Sequence, residues 1–209
     1  MAFLQKVFKA VTPKPAPVPE QLPKITAPKA AQIAERFDPS PRAKALLNPQ
    51  QTPSQFLGAL QDRDMGEDMV KTIAHGLPER EGISWAVQSA ERVSERLPAA
   101  DVQAMRAAQA WLKNPTPANK AAAAAAADQT DYCGPGAWAA QAVAWSQSED
   151  ASRGQGPGKV AQPLASQAVA SAVLLAATIK AKPALAPNFR EHHHPFILLG
   201  FNVATGTAS

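Results

Sequence analysis

Four groups of side chains in this sequence are of types that do chemistry. His192, His193 and His194 form a run of imidazoles, a common ligand for transition metals. Three adjacent residues point in different directions on a helix, however, and only Glu191 stands beside them, with no Cys or carboxylate motif at ligand spacing. Because Pro195 follows, the tract reads as a helix junction, and no metal is expected. Cys133 lies in Asp131-Tyr132-Cys133-Gly134-Pro135-Gly136, just before a helix start, where the dipole would favour a thiolate. No Cys-His-Asn signature surrounds it. Glu79, Arg80 and Glu81, directly after His75-Gly76-Leu77-Pro78, are the densest charge cluster. At a helix N-terminus both carboxylates suit the dipole and Arg80 can reach a carboxylate, so a helix-start network accounts for them. General acid-base work would need a cleft and shifted pKa values. The segment from Gly154 to Val160 approximates a phosphate loop, but its spacing is wrong, no Ser or Thr follows Lys159 and no strand precedes it. It is expected to be a flexible loop. No catalytic residue and no cofactor is expected, and the chain is not expected to be an enzyme; a hydrolase or metal enzyme using His75, Cys133 or the histidine tract is the competing hypothesis.

The elements that must carry these groups are helices. Prolines are numerous, 20 in all, yet after position 30 most sit where a helix can begin, since the first helical residue needs no N–H. Thr52-Pro53-Ser54-Gln55 has a cap, a proline and a Gln at capping-box spacing, leading into Phe56, Leu57 and Leu60. Thr116-Pro117 precedes the seven alanines 121–127 in a similar way. Helices are predicted near 28–36, 40–47, 53–61, 64–75, 79–96, 99–113, 117–128, 135–147, 162–181 and 195–204. No run alternates at period two with β-branched residues, and no Asn-Gly or Asp-Gly turn occurs. The expected fold is all-α, a compact domain of antiparallel helical hairpins over 28–209, either a bundle or a HEAT-like array. Trp85 and Trp111 fall on apolar stripes, and Trp138 and Trp145, seven apart, share a helix face; all are read as core. The alanine run offers little surface to bury and suits close helix approach, with large neighbouring side chains filling the groove.

Composition places the unusual features at the N-terminus. The chain has 209 residues, 45% of them hydrophobic, enough for a real core without a staple, and a single cysteine, which points to a reducing cytoplasm. The net charge is +4, and residues 1–30 account for it with Lys6, Lys9, Lys14, Lys24 and Lys29 against Glu20 alone. The remainder is neutral, so no nucleic-acid partner is expected. No apolar stretch approaches the roughly 20 residues of a spanning helix, and Lys6 and Lys9 interrupt what would be a secretory signal. In residues 1–11, Phe3, Leu4, Val7, Phe8 and Val11 form one helical stripe with Lys6 and Lys9 off it. A peptide this short should become helical only on a surface. Residues 12–27, with Pro13, Pro15, Pro17, Pro19 and Pro23, favour extended polyproline II and are expected to act as a spacer of roughly 40 Å. The stripe and its lysines are the candidate partner-binding residues, for a protein groove, for the chain's own domain, or for marginal contact with a membrane surface.

Several stretches carry a resemblance: Leu77-Pro78-Glu79-Arg80-Glu81 with Trp85-Ala86, Ala107-Ala108-Gln109-Ala110-Trp111-Leu112 with Asn114-Pro115-Thr116, Ala137-Trp138-Ala139-Ala140 with Ala144-Trp145-Ser146, residues 168–177, and Leu199-Gly200 with Ala204-Thr205-Gly206. In their order and spacing, over roughly residues 25–206, the chain resembles an uncharacterised all-helical bacterial family whose members are sometimes encoded among type VI secretion components. The resemblance implies an accessory role beside that machine and supplies no catalytic residues. The chain departs from it after Trp145, where a Gly-rich turn is usual and Gln147 to Arg153 are polar. The expected function is a non-enzymatic adaptor that binds one protein partner, such as a secretion-system component, through the N-terminal peptide and another through the body. The alternative is a cytoplasmic chaperone or immunity-type protein that binds through the helical body alone.

Overall fold

In a computed structural model, residues 16–146, 164–180 and 189–207 are described. They form ten α-helices: α1 Ala30–Ala34, α2 Pro41–Lys44, α3 Pro53–Asp62, α4 Gly66–Gly76, α5 Glu79–Glu91, α6 Ala99–Lys113, α7 Pro117–Asp128, α8 Pro135–Trp145, α9 Leu164–Lys180 and α10 Phe189–Thr205. A 3-10 turn, Ser94–Arg96, follows α5. No strand occurs among the described residues, so the all-α expectation holds.

The start signals work as their chemistry requires. Thr52 accepts from the Gln55 N–H while the Gln55 side chain accepts from the Thr52 N–H at 2.9 Å, closing a capping box before Pro53. Ser40 and Thr116 cap α2 and α7 through the N–H groups of Ala43 and Asn119, each followed by proline. Two boundaries differ from expectation. The helix predicted over 79–96 stops at Glu91, where the Val93 N–H bonds the Ala90 carbonyl three residues back and tightens the chain before Pro98. The last helix starts at Phe189, so Pro195 lies inside it. The histidines therefore belong to a continuous helix and not to a junction. Lacking an N–H, Pro195 leaves out one intrahelical bond, which a buried helix tolerates when packing holds it on both sides.

The core is organised around α9, which packs on α8 and α5 and also touches α4 and α10. On one flank α6, α7 and α8 pack mutually; on the other, α4 and α10 pair, with α3 and α1 outside α4. Trp85 and Trp111 are fully buried, as expected of core residues. The Trp85 indole N–H donates to the Phe196 carbonyl at 2.8 Å, and the ring lies against Gly200, where a Cβ would come within 2.8 Å of it. Of the alanine run, Ala123 and Ala127 are fully buried, Ala126 packs half-buried against the core, and Ala121, Ala122 and Ala125 are exposed on the outer side of α7. Trp138 stacks edge-on with Tyr132 and Trp145, but Trp145 remains 38% exposed and is not a core residue.

The N-terminal segment departs most from expectation. Residues 1–15, including the docking peptide and the first part of the proline-rich stretch, lie outside the described residues. Residues 16–27 are non-helical, as their prolines require, yet they do not stand away from the body as a spacer. Leu22, Ile25 and Ala27 are buried in the common core, and Val18 packs against it. Burying two large aliphatic side chains is worth roughly 1.5–3 kcal/mol each before the entropy of ordering. That gain is what a purely proline-based reading leaves out. The segment is a strap over α3, α4 and α10.

Candidate functional site

A cleft of about 320 Å3 opens where the strap crosses the first turn of α5 and the ends of α6 and α10. The charge cluster singled out in the sequence forms its wall. Arg80 donates from Nη2 to the Leu112 carbonyl at 2.5 Å, at the C-terminal end of α6. It thus serves the negative end of a helix dipole, and not a carboxylate as expected. Glu81 pairs with Lys24 of the strap at 3.3 Å, and the Lys24 N–H donates to the Ala204 carbonyl at 3.0 Å near the end of α10. Ser84, also in the wall, accepts from Gln88 at 3.1 Å, and no histidine lines the cleft. A serine without an adjacent base is not an activated nucleophile. The cleft can offer Lys24 and Arg80 to a small anion; its polar groups already tie the strap, α5, α6 and α10 together.

The other candidates are dispersed. His75 is buried at the end of α4, stacked on Phe37 with ring centroids 5.1 Å apart, and its Nδ1 has no hydrogen-bond partner. Burial, reinforced by the positive charges of Arg36 and Lys71, holds its pKa down at about 4. Arg36 also donates to the His75 carbonyl at 2.9 Å. On α10, His193 is buried so closely against Gly66 that a Cβ there would lie 3.1 Å from the histidine Cβ. His194 accepts the Ala16 N–H on Nε2 at 3.3 Å, and burial lowers its pKa. Among the described residues no three His, Cys, Asp or Glu side chains are placed to share a metal ion. The glycine-rich loop and the peptide residues Phe3, Leu4, Lys6, Val7, Phe8, Lys9 and Val11 lie outside the described residues.

Cys133 is exposed, and its thiol lies 3.5 Å from the Asp131 carbonyl. The helix start that would have stabilised a thiolate is already filled. Asp101 of α6, only 3% exposed, accepts the N–H groups of Gly136 at 3.1 Å and Ala137 at 2.7 Å with its two carboxylate oxygens. That carboxylate enters because Gly134 and Gly136 have no side chains: a Cβ on the first would strike the Asp101 carboxylate, and one on the second its backbone carbonyl. Sequence reasoning missed Asp101, which looks like an ordinary acidic residue in the first turn of α6. The paired glycines around Pro135 were the signal. Asp68 in α4 was missed in the same way; it accepts from both the N–H and the hydroxyl of Ser40, at 2.9 Å each, holding α2 in place.

No curated protein and no solved structure matches the chain. A family match begins inside α3 and runs through α10, taking in Arg80, Asp101, Gly136 and Gly200 but not the strap, α1 or α2. The chain belongs to the family of unknown function DUF6931, which matches residues 56–204.

Proposed function

We propose that this protein is a non-enzymatic adaptor, working in the cytoplasm as an accessory component of a bacterial secretion machine, with the N-terminal amphipathic peptide as its docking element. The observation that carries the reading is the division of the chain. Lys6, Lys9 and Lys14, with no acidic residue among them, and its one short amphipathic stripe precede Ala16, and from Ala16 onward the chain is strapped to a helical body. Ala16 is held by His194 on one side and by the Gln61 side-chain amide, at 2.8 Å, on the other. Only residues 12–15 then separate the peptide from that anchor, at most about 14 Å of extended chain. A partner that takes Phe3, Leu4, Val7, Phe8 and Val11 into an apolar groove edged by carboxylates for Lys6 and Lys9 would therefore be held close to the body. Such tethering raises the effective concentration of a second contact.

A chaperone or immunity-type reading, in which the body alone binds, is supported by the exposed Trp145 and Leu164, the latter 51% exposed. Affinity purification from the native cell separates the two. With Phe3→Asp and Phe8→Asp together, the adaptor reading expects loss of at least one stoichiometric partner and retention of any that binds the body. An unchanged partner set would remove the peptide from the function.

A further inference from the structure

The strap is held in the manner of a bound peptide. Three side-chain atoms of the body read its backbone: Gln61 Nε2 donates to the Ala16 carbonyl, His194 Nε2 accepts the Ala16 N–H, and Ser54 Oγ donates to the Pro19 carbonyl. The common core takes Leu22, Ile25 and Ala27. Ile25 fits where Gly76 has no Cβ, an added Cβ coming within 3.2 Å of it, while Pro23, Lys24 and Thr26 between the buried positions face solvent. Backbone bonds for affinity and spaced pockets for selectivity are the features of peptide-in-groove recognition. The groove walls in α4 and α10 lie within the family match and the strap lies outside it. The strap joins the body only through a bend at Pro28 and Lys29, and Pro28 is exposed. Proline favours extended chain there. Straightening that one bend carries the strap off its own body with no other element moved.

We infer that the groove formed by α3, α4 and α10 accepts residues 16–27 from a second copy of this chain, giving a strap-exchanged dimer in which each copy completes the other's core. In such a dimer the N-terminal peptide of one copy emerges beside Gln61 and His194 of the other. Exchange of an identical element at a short joint is a low-cost route to dimers. The cis strap competes at an effective concentration in the millimolar range, so exchange grows with chain concentration.

The wild-type protein supplies its own reporter, since Lys24 of the strap and Glu81 of the body lie 3.3 Å apart and can be joined by a zero-length carbodiimide. Equal amounts of 15N-labelled and unlabelled full-length chain are unfolded together, refolded, coupled and digested. Exchange predicts linked Lys24–Glu81 peptides carrying one heavy and one light half, rising at least about tenfold between refolding at ~10 μM and ~1 mM. The Lys71–Glu67 pair within α4, at 2.6 Å, stays isotopically pure. Pure Lys24–Glu81 links at every concentration overturn the inference, and so do mixed links that appear equally in the α4 pair, because those report collision. The outcome is independent of whether the peptide binds a partner protein.

Discussion

On the α6–α8 flank, the group sunk among the helices is a carboxylate, Asp101, locked onto two backbone N–H groups between glycines. On the strap flank, α4 also carries a buried carboxylate, Asp68 on Ser40, but buried with it on α4 and α10 are the imidazoles of His75 and His193, and all four histidines of the chain lie on those two helices. The first arrangement is charge-assisted and sterically closed, and it tolerates no added atom. The second depends on imidazole rings packed against aromatic, glycine and backbone neighbours, together with an extended strap held by a few bonds. One flank is therefore built to be rigid. The other holds its segment by contacts that can be undone one at a time, which is where a docking element is best attached.

The largest expected effect falls on the rigid flank. Gly136→Ala puts a methyl group into the Asp101 carbonyl oxygen, which is backbone and cannot rotate away. The α6–α8 contact must open, at a cost of about 4 kcal/mol, near the upper end for a single substitution. Denaturant unfolding would show it. Gly58→Ala in α3, where nothing lies within 4 Å of the added Cβ, should be neutral or slightly stabilising by helix propensity. Equal behaviour of the two alanines would dissolve the contrast in packing.

Acid should act on the other flank. His75 has its pKa lowered from 6.5 to about 4 by burial in the folded protein, so the unfolded chain binds a proton more readily than the native one. The stability this contributes is complete above about pH 6.5, is lost progressively as pH falls toward about 4, and amounts to up to about 3 kcal/mol. Protonation of His194, whose pKa is also lowered, turns the acceptor for Ala16 into a donor facing an N–H and loosens the strap in the same direction. Hydrogen exchange at pH 7 and pH 4.5 should show α4 and α10 losing protection first, with α6–α8 following only on global unfolding. His75→Gln should flatten the dependence of stability on pH over this window. If α6–α8 loosened first, the division into flanks would be wrong.

What was legible in the sequence was whatever a single element determines by itself. The caps at Thr52 and Thr116, the prolines that open helices and the apolar stripes of Trp85 and Trp111 placed most helices within a few residues. The site was less legible, because its contacts are made between elements. Nothing near Arg80 says that its partner is the carbonyl of Leu112, 32 positions away. Asp101 acquires its role only when α8 arrives 35 residues later. The strap misled for a related reason: its prolines correctly specify extended chain, whereas its attachment depends on pockets supplied by α4 and α10, far along the sequence. Proline at position 195 misled in the opposite sense, since packing on α4, α5 and α9 carries a helix through it.

The smallest expected effect is also the one that most sharpens the contrast. Gln61→Ala removes the amide that donates to the Ala16 carbonyl and leaves Leu22 and Ile25 in their pockets. A net hydrogen bond at a half-buried position is worth about 1 kcal/mol, and only the first residues of the strap should register it. Global unfolding should change by about 1 kcal/mol or less, while exchange of the Ala16 amide, held by His194, accelerates severalfold and Ile25 keeps its protection. That graded response, fraying from the Ala16 end with the apolar anchors still seated, is what separate bonds along an extended segment produce. A strap that let go all at once would instead behave as part of the cooperative core, and the peptide ahead of it would lose its adjustable point of attachment.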